Sequence, residues 1–225
     1  MSAVRHIAFI PDGNRRWAQA AGRSAAEGHA AGIAAAGAWA DAAFGEGVEV
    51  VSLWWGSPAN LTRRAAAEVD GIRGALEGWL DGPGAALMGR WGASFDLLGR
   101  WPTLCPALGA AAARAHARAR PGPRRLVVLM GYDGRDELRA AAARRGGGGA
   151  SEADFAAALW TGHLPPVDLV LRTGGGAHLS AGFLLWGIAE ARLRVVDTLA
   201  PALAPAAVRA LLQAEAAAAP RRYGA

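Results

Sequence analysis

Ile7-Ala8-Phe9-Ile10-Pro11-Asp12-Gly13-Asn14-Arg15-Arg16 is the stretch on which the reading of this chain turns. Four mostly apolar residues describe a buried strand, Pro11-Asp12-Gly13 ends it, and Arg16-Trp17-Ala18-Gln19-Ala20 resumes at helical spacing. A strand that stops at a carboxylate and turns straight into a helix offers backbone N–H groups, a helix start and two arginines to an anion above Asp12. Phosphate is the natural occupant. The alternative is that Asp12 serves only as the N-cap of the helix.

Beyond this junction, β-rich apolar runs recur at 48–54, 94–98, 125–130 and 167–171, with a last candidate at 193–196. Helical stretches lie between them at 29–44, 64–80, 105–118, 135–145, 151–161, 181–191 and 204–217. Strands alternating with helices predict an α/β domain over 1–225, with a mostly parallel central sheet of about six strands flanked by helices. Ligands then belong at the carboxyl ends of the strands. Three such ends carry polar residues: Asp12-Gly13-Asn14, Ser57 with Asn60, and Arg172-Thr173-Gly174-Gly175. The tetraglycine Gly146–Gly149 reads as a flexible surface loop and Pro121-Gly122-Pro123 as a rigid connector.

Composition removes several classes of function. All 24 basic residues are arginine, so lysine Schiff-base chemistry is excluded. Cys105 is the only cysteine, which excludes a cystine framework and a zinc cluster and fits a reducing cytoplasm. The opening Met1-Ser2-Ala3-Val4-Arg5-His6 reaches the first strand at once, unlike a signal peptide. No apolar run approaches the roughly 20 residues that span a bilayer, so stable membrane insertion is not expected. The net charge of +5 comes from scattered arginines without a basic stripe interleaved with stacking aromatics, which favours an anionic small molecule over nucleic acid.

Five motifs in order make the chain resemble the cis-prenyltransferases, the undecaprenyl diphosphate synthase-like enzymes, nearly end to end. His6-Ile-Ala-Phe-Ile-Pro-Asp12-Gly13-Asn14-Arg15-Arg16-Trp17-Ala18 is similar to the family's opening motif, and Gly28-His29-Ala-Ala-Gly32 to its Gly-His-x-x-Gly. Gly131-Tyr132-Asp133-Gly134-Arg135-Asp136-Glu137-Leu138 resembles Asn-Tyr-Gly-Gly-Arg-x-Glu-Ile. Asp168-Leu-Val-Leu-Arg172-Thr-Gly-Gly with Phe183-Leu-Leu-Trp186 resembles the late diphosphate-binding motif, and Arg222-Tyr223-Gly224 the terminal Arg-x-Gly. The resemblance implies a sheet-and-helix fold with an apolar tunnel, a homodimer, and loss of pyrophosphate from an allylic prenyl diphosphate. Charge developing on the leaving group must be neutralised by metal, guanidinium or amide groups. By the resemblance, Asp12 holds Mg2+; Gly13, Asn14, Arg15, Arg16, His29 and Arg63 receive the allylic diphosphate; and Asp12, Asn14, His29, Ser57 and Asn60 form the catalytic set. Arg172, Ser180, Arg192, Arg222 and Gly224 form a second diphosphate site. His29 can hydrogen-bond phosphate or relay a proton.

Trp17, Trp54 and Trp55 are the residues expected along the tunnel, where each five-carbon unit buried is worth roughly 4 kcal/mol. In relatives that build long polyprenols the position of Trp55 is typically small, so an indole there implies a short prenyl substrate and product. One of Trp54 and Trp55 must face away from the tunnel, because strand neighbours point to opposite sides.

Several residues depart from the family pattern. Ala25 stands where an arginine is usual, Ala59 and Gly176 replace glutamates, and His178 replaces an arginine that grips isopentenyl diphosphate. Ser180-Ala181-Gly182-Phe183 is one residue longer than Ser-Asn-Phe. Counted from Trp186, Arg192 stands where a second metal-organising glutamate is expected. Like charges about 4 Å apart repel by roughly 4 kcal/mol at an effective dielectric near 20, so Arg192 either weakens the metal or clamps a diphosphate in its stead. Three readings follow: an atypical enzyme that ionises a short allylic diphosphate and then cyclises, quenches or irregularly couples the cation, as terpene synthases and lavandulyl-type prenyltransferases do; ordinary short-chain condensation with isopentenyl diphosphate; or a non-catalytic partner of an active homologue.

Overall fold

The computed structural model describes residues 4–120, 122–145 and 151–218. The Gly146–Gly149 loop, Pro121, Arg222 and Gly224 lie outside the described residues. Among the rest, six strands form one sheet: β1 (His6–Ile10), β2 (Val50–Gly56), β3 (Ser94–Leu98), β4 (Arg125–Met130), β5 (Leu169–Arg172) and β6 (Arg192–Val195). The helices are α1 (Asn14–Ala20), α2 (Ala25–Gly45), α3 (Pro58–Arg63), α4 (Ala66–Asp81), α5 (Pro83–Trp91), α6 (Trp101–Leu104), α7 (Gly109–Arg118), α8 (Gly134–Arg145), α9 (Glu152–Ala157) and α10 (Pro205–Ala217).

Strand order is β3-β4-β2-β1-β5-β6, and every neighbouring pair is parallel. The mostly parallel sheet of the sequence reading is thus wholly parallel among the described residues. The first strand of the chain occupies the middle, with β2 on one side and β5 on the other. Successive residues of each strand feed opposite faces. Ile7, Phe9, Leu53, Trp55, Leu126 and Val128 join a large core that includes Trp39 of α2, Leu76 and Trp79 of α4 and Val208 of α10. Ala8, Ile10, Val127 and Val170 join a smaller core with Tyr132, Phe183 and Leu184.

Two buried polar groups fasten this second face. Glu137 is 1% exposed; it accepts the Tyr132 hydroxyl and, at 2.8 Å each, the Thr161 amide and hydroxyl. That geometry joins Tyr132 and Glu137, two residues of the motif at 131–138. His6 places Nδ1 2.9 Å from the Pro165 carbonyl and Nε2 2.8 Å from Ser52 Oγ. A carbonyl only accepts, so Nδ1 carries the hydrogen and Nε2 accepts from Ser52 in the neutral ring.

The stretch 181–191 departs from its helical expectation. It runs as turns after a short 3-10 turn at Ser180–Gly182, and Ala181 and Leu184 have φ of 48° and 47°. Left-handed backbone at two non-glycine residues cannot continue a right-handed helix. Helices α3 and α5 form where no helix was expected, each with proline in its first turn.

Arg192 also lies away from its expected place. It opens β6 and pairs with Leu169, whereas the carboxyl end of the sheet is the level of Ile10, Arg172 and Val195. Three residues of strand separate Arg192 from that level, about 10 Å at 3.3 Å per residue. Its guanidinium is held by Glu215 of α10, which also takes Arg194 Nε at 2.7 Å. The residue therefore fastens an edge strand to a helix within its own chain.

Two outcomes follow. Burial pushes the His6 pKa from 6.5 down to about 4. A depressed folded pKa gives stability that is full above pH 6.5 and is lost as pH falls towards 4, in total about 3 kcal/mol. Denaturant titrations of the native chain and His6→Gln should accordingly converge by most of that amount between pH 7 and pH 4. Glu215→Ala should cost about 2 kcal/mol or more in the same assay, by leaving two arginines without their buried carboxylate.

Candidate active site

The Asp12 junction is built by close approach of two helices to two strand ends. Gly13, at φ 101°, is the N-cap of α1 and makes no side-chain cap; Asp12 does not cap the helix either. A side chain at Gly28 or Gly32 would run into the Asn14 backbone and carboxamide, so the Gly-His-x-x-Gly spacing lets α2 lie directly on Asn14. Across the junction, the Asp12 amide donates to Thr173 Oγ1 at 2.8 Å, and the Thr173 hydroxyl donates to the Asp12 carbonyl at 2.7 Å. Arg16 reaches the Gly174 carbonyl at 2.9 Å.

These contacts open a cavity of about 470 Å³ at the carboxyl ends of β1, β2 and β5. Asp12, Gly13, Asn14, Arg15, Arg16, His29, Trp54, Asn60, Arg172 and Ser180 line it, as do Ile10, Pro11 and Arg64. Arg172 and Ser180, expected in a second diphosphate site, therefore line the same cleft as the residues expected around Asp12, whereas Arg192 does not. Arg172, 2% exposed, donates through Nη2 to Asp12 Oδ2 at 2.6 Å and through Nη1 to Ser180 Oγ at 2.9 Å and the His178 carbonyl at 2.6 Å. Its Nε is buried without a partner, on the side where Gly176 presents no side chain. Arg16 Nη2 stands 3.6 Å from Asp12 Oδ1.

On the opposite wall, His29 Nε2 is 2.9 Å from Glu68 Oε1 and 3.1 Å from Arg64 Nη1. Burial lowers the His29 pKa, and the hydrogen bond to Glu68 opposes that shift. Arg64 Nη1 lies 3.3 Å and Arg15 Nε 4.0 Å from the same Glu68 oxygen. Sequence reading missed both Arg64 and Glu68. Position 63 was expected to supply the cation, but α3 ends there; Arg63 is exposed and the neighbouring Arg64 turns into the cleft.

Other expected site residues take different places. The Ser57 hydroxyl accepts the Asn60 amide at 3.1 Å, while Asn60 Oδ1 accepts the Ser57 amide at 3.1 Å. This capping box starts α3 and keeps Ser57 out of the cleft lining. Trp17 does not line the cleft; Arg23 packs 5.6 Å from its ring centre. Trp54 faces the cleft, edge-on to Phe183 at 6.3 Å, and Trp55 is buried in the large core on the other face.

Asp12 fits magnesium as a one-carboxylate site, since that ion commonly takes one or two carboxylates and completes its shell with substrate phosphates and water. No group of three or more His, Cys, Asp or Glu side chains is placed to hold a metal among the described residues. None of the described helices is long and apolar enough to cross a membrane.

Comparison with known proteins agrees with this geometry. The prenyltransferase family model for undecaprenyl diphosphate synthases matches residues 10–224. An isoprenyl transferase of Caulobacter vibrioides is 34% identical, over 97% of this chain and 87% of the relative. One of Zymomonas mobilis is 35% identical, over 98% and 91%. Among solved structures, lavandulyl diphosphate synthase from Lavandula x intermedia, in complex with dimethylallyl diphosphate, superposes with a TM-score of 0.88 at 25% identity, covering 98% of this chain and 96% of that one. A probable undecaprenyl diphosphate synthase from Campylobacter jejuni shares the fold, with a TM-score of 0.79 at 22% identity and 99% coverage of both chains. A wholly parallel six-stranded sheet among the described residues, an arginine-lined cleft at Asp12 and near full-length similarity agree: this chain belongs to the undecaprenyl diphosphate synthase-like family of prenyltransferases.

Proposed function

We propose that the chain ionises a short allylic diphosphate of dimethylallyl or geranyl length in the Asp12 cleft and couples the cation irregularly to a second short prenyl diphosphate. One observation carries this reading: Arg15, Arg16, Arg64 and Arg172 converge on a cleft whose lining holds a single carboxylate, Asp12. Such a cluster suits a group that gains negative charge as its C–O bond breaks. Arg172 must share its charge between Asp12 and the incoming diphosphate. Ile10, Pro11 and Trp54 supply the apolar wall for the first carbons.

Asp12 is the residue that would hold magnesium, and a bound ion would add neutralising charge to the departing pyrophosphate. Because Arg192 is tied to Glu215, its charge does not oppose an ion at Asp12 in the same chain. Trp55 fills the core between the sheet and the helices, which supports a short hydrocarbon. The similarity to lavandulyl diphosphate synthase supports irregular coupling, as does His178 at a position where the family resemblance implies an arginine for isopentenyl diphosphate. Ordinary condensation with isopentenyl diphosphate is the second reading, favoured by the isoprenyl transferase relatives and by Ser180 on Arg172. A homodimer follows from the family; exposed Leu179, Leu185, Trp186 and Leu193 supply apolar surface for a second copy.

The deciding assay incubates the protein with dimethylallyl, geranyl and farnesyl diphosphates, each with and without isopentenyl diphosphate and magnesium. Branched or cyclic products without isopentenyl diphosphate support the proposal, whereas strict dependence on it establishes the second reading. Asp12→Ala should reduce kcat by at least about a hundredfold. Chelation should lower turnover, and added magnesium should restore it. Arg172→Ala should weaken inorganic pyrophosphate binding by about tenfold or more, while Arg192→Ala leaves it unchanged. Trp55→Leu should let longer allylic diphosphates compete as substrates.

A further inference from the structure

Glu68 stands behind the cleft wall, in the first turn of α4, with its side chain 13% exposed. Its Oε1 faces three cationic or potentially cationic groups from three elements: His29 of α2 at 2.9 Å, Arg64 at 3.3 Å and Arg15 of α1 at 4.0 Å. An ionised carboxylate only accepts hydrogen bonds, so the 2.9 Å contact requires hydrogen on His29 Nε2. The other tautomer would point an Nε2 lone pair at a carboxylate. It would also be the only neutral form able to accept from Arg64 Nη1, 3.1 Å away. Arg64 keeps its ion pair with Glu68 whichever tautomer is present. The shorter contact, to an anion, thus favours Nε2–H, with Arg64 beside the carboxylate as an ion pair at 3.3 Å.

We propose that Glu68 is a positioning residue that holds neutral His29 as the Nε2–H tautomer and so leaves the Nδ1 lone pair as the proton acceptor of the cleft; this rests on the prenyl-transfer reading. Nδ1 makes no hydrogen bond to the described residues, and the imidazole lines the cleft. Burial favours the uncharged ring. A neutral ring in this tautomer has no hydrogen at Nδ1 with which to hold an ionised phosphate, so the phosphate-donor role is replaced by a basic one. In that step the allylic C–O bond breaks and pyrophosphate leaves with the electron pair. The alkene of the second prenyl diphosphate then forms the new C–C bond. A C–H bond beside the resulting cationic carbon breaks, its electrons close the double bond, and the proton bonds to Nδ1. The imidazolium so formed is paired with Glu68.

The test reads the tautomer directly in substrate-free protein by 15N–1H correlation of the imidazole rings, with His29→Asn to assign the signal. His6, whose Nδ1 donates to Pro165, supplies the opposite pattern as an internal standard. His29 should show the Nε2–H pattern, Glu68→Ala should convert it to Nδ1–H or a mixture, and Glu68→Gln, whose amide oxygen still accepts, should keep it. In turnover, Glu68→Ala should lower kcat roughly a hundredfold with KM within about threefold, and Glu68→Gln should recover most of the loss. An Nδ1–H pattern in the native protein, an unchanged pattern in Glu68→Ala, or an effect confined to KM would overturn the proposal. Absence of prenyl transfer alongside the expected tautomer would instead overturn the functional reading and, with it, the basic role, leaving the Glu68–His29 geometry intact.

Discussion

The ion pair between Arg172 and Asp12 is the constraint on which both the sheet and the site depend. A guanidinium removed from water is costly unless it is charge-compensated and hydrogen-bonded, and Arg172 is almost wholly buried. Strand β5 can end on an arginine beside β1 because Asp12, two residues past the end of β1, compensates its charge. Thr173, Gly174 and Ala200 then tie the loops that follow, with the Ala200 amide on the Asp12 carbonyl at 2.9 Å. The same contacts shape the mouth of the cleft, so loss of the pair would disturb architecture and ligand binding together.

Much of this was legible in the sequence because strand ends carry local punctuation. Runs 94–98 and 125–130 coincide with β3 and β4, and Asp12, Asn60 and Arg172 come from three strand ends onto one cleft. What stayed hidden depended on tertiary contact. Glu68 is one acidic residue among several on an amphipathic helix, and its value arises from an imidazole 39 positions away. Its place in the first turn of α4 would be read locally as helix-dipole compensation. Arg63 and Arg64 differ by one step at a helix end, where a step turns a side chain through roughly 100°. Counting from Trp186 to position 192 followed the family motif and not the path of the backbone, which runs as turns from Trp186 into β6 and sets Arg192 at that strand's amino end.

The departures from the family pattern share an electrostatic logic. Where the resemblance would place a glutamate, Gly176 leaves Arg172 Nε unpartnered among the described residues, and the guanidinium is paired with Asp12. Arg192 reverses a charge, and Glu215 absorbs it at the other end of the sheet. The cleft consequently keeps a strongly cationic lining around one acid, with Glu68 holding part of that charge in place from behind. With no lysine in the chain, every permanent side-chain cation here is a planar, multidentate guanidinium that grips phosphate oxygens in pairs.

The central position of β1 has a kinetic side. It is the earliest strand in the chain, yet one of its edges is covered by β5 and its terminal carboxylate by a residue 160 positions later. Contacts of such long sequence separation close slowly, because loop entropy must be lost before they form. During synthesis β1 can pair with β2 early, while its other edge waits for nearly three-quarters of the polypeptide to emerge. Catalytic competence is therefore among the last properties this chain acquires, and a truncated product lacking β5 would present an open sheet edge to neighbouring chains instead of a reaction cleft.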